Sequence, residues 1–183
     1  MLDEIIIAGF GGQGVLLMGR LIAYAGMLEG KKVAWMPSYG PEMRGGTANC
    51  TVIISSDDVA SPVVTNPKTL IAMNKPSLDK FEPEVETGGT IIINQSLISQ
   101  DVKRNDVQVL KVPANEIANE LGNIRVANMV ALGAYLAAKK SIKVESIIKA
   151  LEDTLGKKSK KIVVLNKKAI EKGGELANKD IKK

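Results

Sequence analysis

Apolar residues fall into short β-branched runs in the first half of the chain and into helical stripes in the second. The run Glu4-Ile5-Ile6-Ile7-Ala8 is apolar on both faces, the pattern of a strand buried in a parallel sheet. It ends in Gly9-Phe10-Gly11-Gly12-Gln13-Gly14. From Val15 to Ala25 the apolar positions have helical spacing, with a stop near Gly30. Lys32 to Met36 predicts a second strand, so the chain opens as strand, glycine loop, helix, strand. Pro37 to Gly46 holds two prolines and three glycines and predicts a ten-residue loop. Four further strands are expected at Thr47–Ser56, Thr69–Met73, Thr90–Asn94 and Val107–Val112, with a helix around Pro76–Phe81. Helices are expected at Asn115–Leu121, Val126–Lys139 and Lys160–Lys172. Val144, Ile147, Ile148, Leu151 and Leu155 form an amphipathic stripe between the last two. The pattern predicts an α/β fold: a three-layer, doubly wound, Rossmann-like sheet with helices on both faces. Without an internal repeat or linker, one unit over residues 1–183 is expected, with a Lys-rich C-terminal helix or tail from about residue 157.

Composition narrows what such a fold does. Aromatics are 3% of the 183 residues, so the core is aliphatic, and the stacking platforms of single-stranded nucleic-acid binders are missing. The net charge of +5 belongs to the tail: from Lys157 onward ten lysines face three acids, and the remaining chain is slightly acidic. That reads as a solvated helix face, with no nucleic-acid partner expected. One cysteine, Cys50, and no histidine exclude an internal disulfide, a four-thiolate iron–sulfur cluster and His-based general catalysis. The acidic start Met1-Leu2-Asp3-Glu4 is unlike a signal peptide, and Val126 to Ala138 falls short of the ~20 residues of a membrane span. A soluble cytoplasmic protein without membrane contact is expected.

Gly9-x-Gly11-x-x-Gly14 matches the dinucleotide fingerprint in its expected place between strand and helix. Its glycines permit a tight turn, and the helix N-terminus behind it favours an anion. The second half of the fingerprint, an acid at the end of the next strand, is missing: that strand ends Trp35-Met36-Pro37-Ser38. No Lys follows Gly14, so it is not a nucleotide-hydrolase phosphate loop either. Two readings remain from the loop alone, tight strand-to-helix packing or contact with a ligand.

Ser38-Tyr39-Gly40-Pro41-Glu42-Met43-Arg44-Gly45-Gly46 is the most distinctive stretch, a rigid turn bearing a Tyr, a Glu and an Arg. Together with Gly9–Gly14 it resembles the gamma subunit of 2-oxoacid:ferredoxin oxidoreductases. Asn128-Met129-Val130-Ala131-Leu132-Gly133 resembles that family's late buried helix. The likeness runs from about residue 4 to about 172, and the second loop looks most like the 2-oxoglutarate branch.

The resemblance implies a cofactor-free chain, inactive alone, that assembles with alpha, beta and a ferredoxin-like delta subunit. Those partners would carry thiamine diphosphate, magnesium and iron–sulfur clusters, convert a 2-oxoacid and coenzyme A to acyl-CoA and carbon dioxide, and reduce ferredoxin. It implies no catalytic or metal residue in this chain. The ligand-or-interface set is Gly9, Gly11, Gly12, Gln13, Gly14, Ser38, Tyr39, Gly40, Pro41, Glu42, Arg44, Gly45 and Gly46. The two loops are expected to meet at the C-terminal ends of the strands, with Arg44 pairing an anion of coenzyme A or a partner carboxylate. A stand-alone nucleotide- or coenzyme-A-binding module, or a scaffold reusing the fold, is the alternative.

Overall fold

The computed structural model describes residues 1–40, 45–59, 61–155 and 159–181. Six strands form one sheet in the order β2-β3-β1-β4-β5-β6. They are β1 (Leu2–Phe10), β2 (Lys32–Tyr39), β3 (Thr47–Ser55), β4 (Thr69–Ala72), β5 (Thr90–Asn94) and β6 (Gln108–Val112). The helices are α1 (Val15–Leu28), α2 (Lys75–Phe81), α3 (Ala114–Glu120), α4 (Ala127–Lys139), α5 (Val144–Leu155) and α6 (Lys160–Ile181).

β1, β4, β5 and β6 run parallel, as the two-faced apolar run of β1 predicts for that strand. The second strand of the sequence does not lie beside the first. β2 and β3 form a hairpin, and β3 lies antiparallel between β2 and β1, pairing Leu2 with Ser55 through to Phe10 with Thr47. This leaves β2 as a sheet edge, where Pro37 costs no ladder bond that a central strand would need. The ten-residue loop expected after Met36 is accordingly shorter, because Pro37, Ser38 and Tyr39 extend β2.

Helices cover both faces unequally. On one face Ile5, Ile7, Val52, Ile54, Ile71 and Ile92 pack under α1 and α3–α6, the larger core. On the other Ile6, Ala8, Leu70, Ala72, Ile91 and Ile93 meet Leu78 and Phe81 of α2 and Val85 of the 3-10 turn after it. α6 runs past the expected end at Lys172, because Gly173 does not stop it: that glycine faces Gly133's turn of α4 in close helix-to-helix contact.

At the N-terminal end of the sheet, buried Asp3 ties three segments together. Its Oδ1 accepts from Thr69 Oγ1 at 3.1 Å, and its Oδ2 accepts from Tyr135 Oη at 2.9 Å and Ser141 Oγ at 2.8 Å. Burial, with the Asp3 charge beside it, holds the Tyr135 phenol well above its usual range. The opposite end of β1 carries the glycine loop.

Candidate functional site

The glycine loop turns where the sequence allows a left-handed backbone: Gly12 has φ 101° and Gly14 has φ 74°. Gly14 is the N-cap of α1 and supplies no side-chain cap, so the first-turn amides of that helix stay available to an incoming acceptor. Gly14 is also closed in from behind, since a Cβ there would sit 2.8 Å from Asn128 Cγ. Gly9 is pressed as closely, its notional Cβ 2.9 Å from Val15 Cγ2 and 3.0 Å from Met73 Cβ. The packing reading thus describes Gly9 and Gly14, whereas Gly12 has open space where a Cβ would stand.

Gln13 fastens this loop. Its Oε1 accepts from Phe10 N at 2.6 Å and from Asn74 Nδ2 at 3.2 Å, and its Nε2 donates to Met73 O at 3.3 Å. Asn74 in turn caps α2, accepting from Ser77 N at 2.9 Å.

The second loop comes back onto the first. Gly11 N donates to Gly46 O at 2.8 Å, Gly45 N to Gly11 O at 3.3 Å, and Gly40 N to Thr47 O at 3.0 Å. The base of the hairpin and the glycine loop thus form one rim at the C-terminal end of β1, as expected. Ser38 and Tyr39 lie on β2, exposed, with Tyr39 on the α1 side of the sheet. Pro41, Glu42 and Arg44 lie outside the described residues.

Two clefts flank the rim. One of about 290 Å³ is mostly apolar and is lined by Phe10, Gly11, Gly12, Leu16, Leu17 and Tyr39 among others. The other, about 160 Å³, is more polar and bordered by Gly12, Gln13, Asn115, Arg125 and Asn128. Asn128 donates from Nδ2 to Gly14 O at 3.2 Å, and its buried Oδ1 has no partner among the described residues. Asn94, at the end of β5, likewise donates to Asn115 Oδ1 at 2.9 Å and leaves its own Oδ1 unpaired.

Asn74, Asn94, Asn115 and Arg125 were not singled out by sequence. The signal available was position: polar residues just where parallel strands end, the crevice of open α/β sheets. Asn128 opens the stretch that resembles the family's late buried helix, and it is this residue that joins α4 to the glycine loop at Gly14.

Cys50 is buried beneath α1, and burial pushes its thiol up to about 12, which disfavours the thiolate. Among the described residues no group of three or more His, Cys, Asp or Glu could hold a metal ion. No helix there is long and apolar enough to cross a membrane.

Residues 4–176 match the family described as pyruvate ferredoxin/flavodoxin oxidoreductase. The chain is 43% identical over 96% of its length to the ketoisovalerate oxidoreductase subunit VorA of Methanothermobacter thermautotrophicus, covering 36% of that protein. It thus spans about a third of the length of that relative. With the 2-oxoglutarate synthase subunit KorC of Methanocaldococcus jannaschii it is 34% identical, over 97% of this chain and 95% of the other. Among solved structures, the keto/oxoacid ferredoxin oxidoreductase gamma subunit of Geobacter sulfurreducens superposes with a TM-score of 0.80 at 32% identity, over 96% of this chain and 98% of that one. The 2-oxoglutarate:ferredoxin oxidoreductase of Magnetococcus marinus gives a TM-score of 0.90 at 26% identity, over 97% of this chain and 31% of that one.

Proposed function

The chain belongs to the pyruvate ferredoxin/flavodoxin oxidoreductase family, and from that premise we propose that it is the gamma subunit of a 2-oxoacid:ferredoxin oxidoreductase complex. The carrying observation is the end-to-end match with the subunit KorC, in which nearly all of both chains align. The geometry supports a holding role: two loops hydrogen-bonded into one rim, an uncapped helix N-terminus behind them, and a buried, unreactive cysteine.

In this reading the complex oxidatively decarboxylates a 2-oxoacid with coenzyme A to acyl-CoA and carbon dioxide, and ferredoxin takes the electrons. Thiamine diphosphate, magnesium and iron–sulfur clusters in the alpha, beta and delta-type partners supply that chemistry. With one cysteine and no histidine, the residues of this chain do not fit an iron–sulfur cluster. Its own part is to seat coenzyme A or a partner loop: the Gly12 and Gly14 backbone and the α1 N-terminus receive an anionic oxygen, and Arg44 pairs an anionic group of coenzyme A or a partner carboxylate. The complex would work in the cytoplasm.

For the substrate, the wording of the second loop favours 2-oxoglutarate. The higher identity to VorA than to KorC favours a branched-chain 2-oxoacid as a second reading. The test is to tag this chain in its native host, purify it without oxygen, and assay the copurifying proteins, iron and thiamine diphosphate. Partners carrying both, with viologen reduction that needs coenzyme A and a 2-oxoacid, are the expected outcome, and a panel of 2-oxoacids then names the substrate. A single chain free of iron and thiamine that binds coenzyme A or a nucleotide alone would replace this reading with that of a stand-alone binding module.

A further inference from the structure

The whole chain has six aromatic side chains. Phe81 and Tyr135 are buried. The other four, Phe10, Tyr24, Trp35 and Tyr39, border two clefts on the outer side of α1 and β2. If folding alone placed aromatics, a chain this poor in them would put them in its core, where each covers the most apolar area. Here Tyr39 is 58% exposed and Trp35 36%, both on the α1 face of the edge strand β2, and Met27 of α1, which shares a cleft with Trp35, is 64% exposed. The cleft between Tyr24, Met27, Val33 and Trp35 is the larger, about 560 Å³, with Arg20 on its wall. Tyr, Trp, Met and Arg are the residue types enriched where a protein face is permanently covered by another.

We propose that this α1–β2 face is the docking surface for a partner polypeptide equivalent to the remainder of the longer relatives, in which the present segment makes up only 36% and 31% of the chain. The inference rests on the reading of this protein as an oxidoreductase subunit. In those relatives the rest of the polypeptide is tethered to this fold, so a lasting neighbour of the same oxidoreductase is present beside it. An apolar, aromatic face suits a lasting neighbour, whereas a transient electron carrier is met by a charged one. The other exposed apolar surface lies on α6, where Val164 and Leu165 are ringed by Lys160, Lys161 and Lys168, whereas the larger α1–β2 cleft carries Arg20 alone.

The test uses the tagged chain in its native host, with the double substitution Met27→Lys/Tyr39→Lys, each single substitution, and a control of Ile162→Lys/Val164→Lys on exposed positions of α6. The docking variants are expected to recover at least about tenfold less partner chain than wild type, at a melting temperature within about 2 °C of it. The control should recover partners at the wild-type level. Wild-type recovery by the folded docking variants, or an equal loss in the control, overturns the inference while leaving the subunit reading in place. So does a wild-type homodimer that the docking variants abolish while partners still bind, since the face would then join two copies. If the wild type itself recovers no partner, the subunit reading fails and this inference fails with it.

Discussion

Gln13 Oε1 accepts from two donors on different segments, Phe10 N and Asn74 Nδ2, while its Nε2 reaches Met73 O, so one side chain joins the ends of β1 and β4 to the glycine loop. It is a positioning residue: its amide is spent on the protein, and the loop backbone is what faces outward. Gln13→Ala removes three hydrogen bonds from a partly exposed site, where water replaces some of them, so a loss of about 1–2 kcal/mol in stability is expected. The loop then samples more conformations, and ordering it again on binding weakens the bound state. In the purified complex the variant should raise the KM for coenzyme A about tenfold and leave kcat within about twofold, since the chemistry resides on partner chains. Steady-state kinetics with coenzyme A varied checks this; an unchanged KM would remove coenzyme A from this rim. The glycines and Gln13 were legible in the sequence because their pattern is local. Asn74 was not, because what makes it matter is a contact 61 residues away.

At the level of elements, the α4–α6 crossing depends on two glycines. A Cβ on Gly173 would lie 2.8 Å from Val130 C, and one on Gly133 the same distance from Ile170 C. Gly174 has only Gly133 O near its notional Cβ, at 3.5 Å, which is ordinary contact. Alanine is the better helix former by about 1 kcal/mol at either position, so the sign of each substitution is decided by space. Gly174→Ala should be neutral or stabilising by up to about 1 kcal/mol. Gly173→Ala should destabilise by about 1–3 kcal/mol, because backbone atoms of α4 cannot rotate away and the helices must separate. Urea titration of the two variants side by side measures the difference; equal effects would mean that the close crossing is not what keeps Gly173. The same residues explain an element boundary that the sequence misplaced. Gly173-Gly174 reads as a helix stop after Lys172, yet the helix continues to Ile181, because tertiary contact overrides the glycine penalty.

For the molecule as a whole, β1, β3 and β5 were legible from their β-branched runs, but the order of the strands was not. A run of apolar residues records burial and not its neighbour, so nothing local told that β3 would slot between β1 and β2. Pairing along both edges of β3 sets the order, nine residue pairs with β1 and eight with β2. Long-range closure is equally hidden: Asp3 meets Thr69, Tyr135 and Ser141 at separations of 66, 132 and 138 residues. That carboxylate joins the first strand, the start of β4 and the end of α4, and all its donors are buried hydroxyls. Removing it by Asp3→Ala leaves Thr69 without its acceptor and strips the Tyr135–Ser141 pair of the charge it was arranged around, at an expected cost of about 2–4 kcal/mol. Trp35, the single tryptophan, reports from the far edge strand β2, whereas far-UV circular dichroism is dominated by the helices. If the chain unfolds as one unit, both signals should shift to lower urea together, with unchanged slope, since the area exposed on unfolding is the same. A shifted dichroism curve beside an unmoved Trp35 curve would show instead that the β2–β3 edge melts on its own. In that case the rim built on the hairpin would owe its order to whatever covers the α1–β2 face, and not to the core that Asp3 closes.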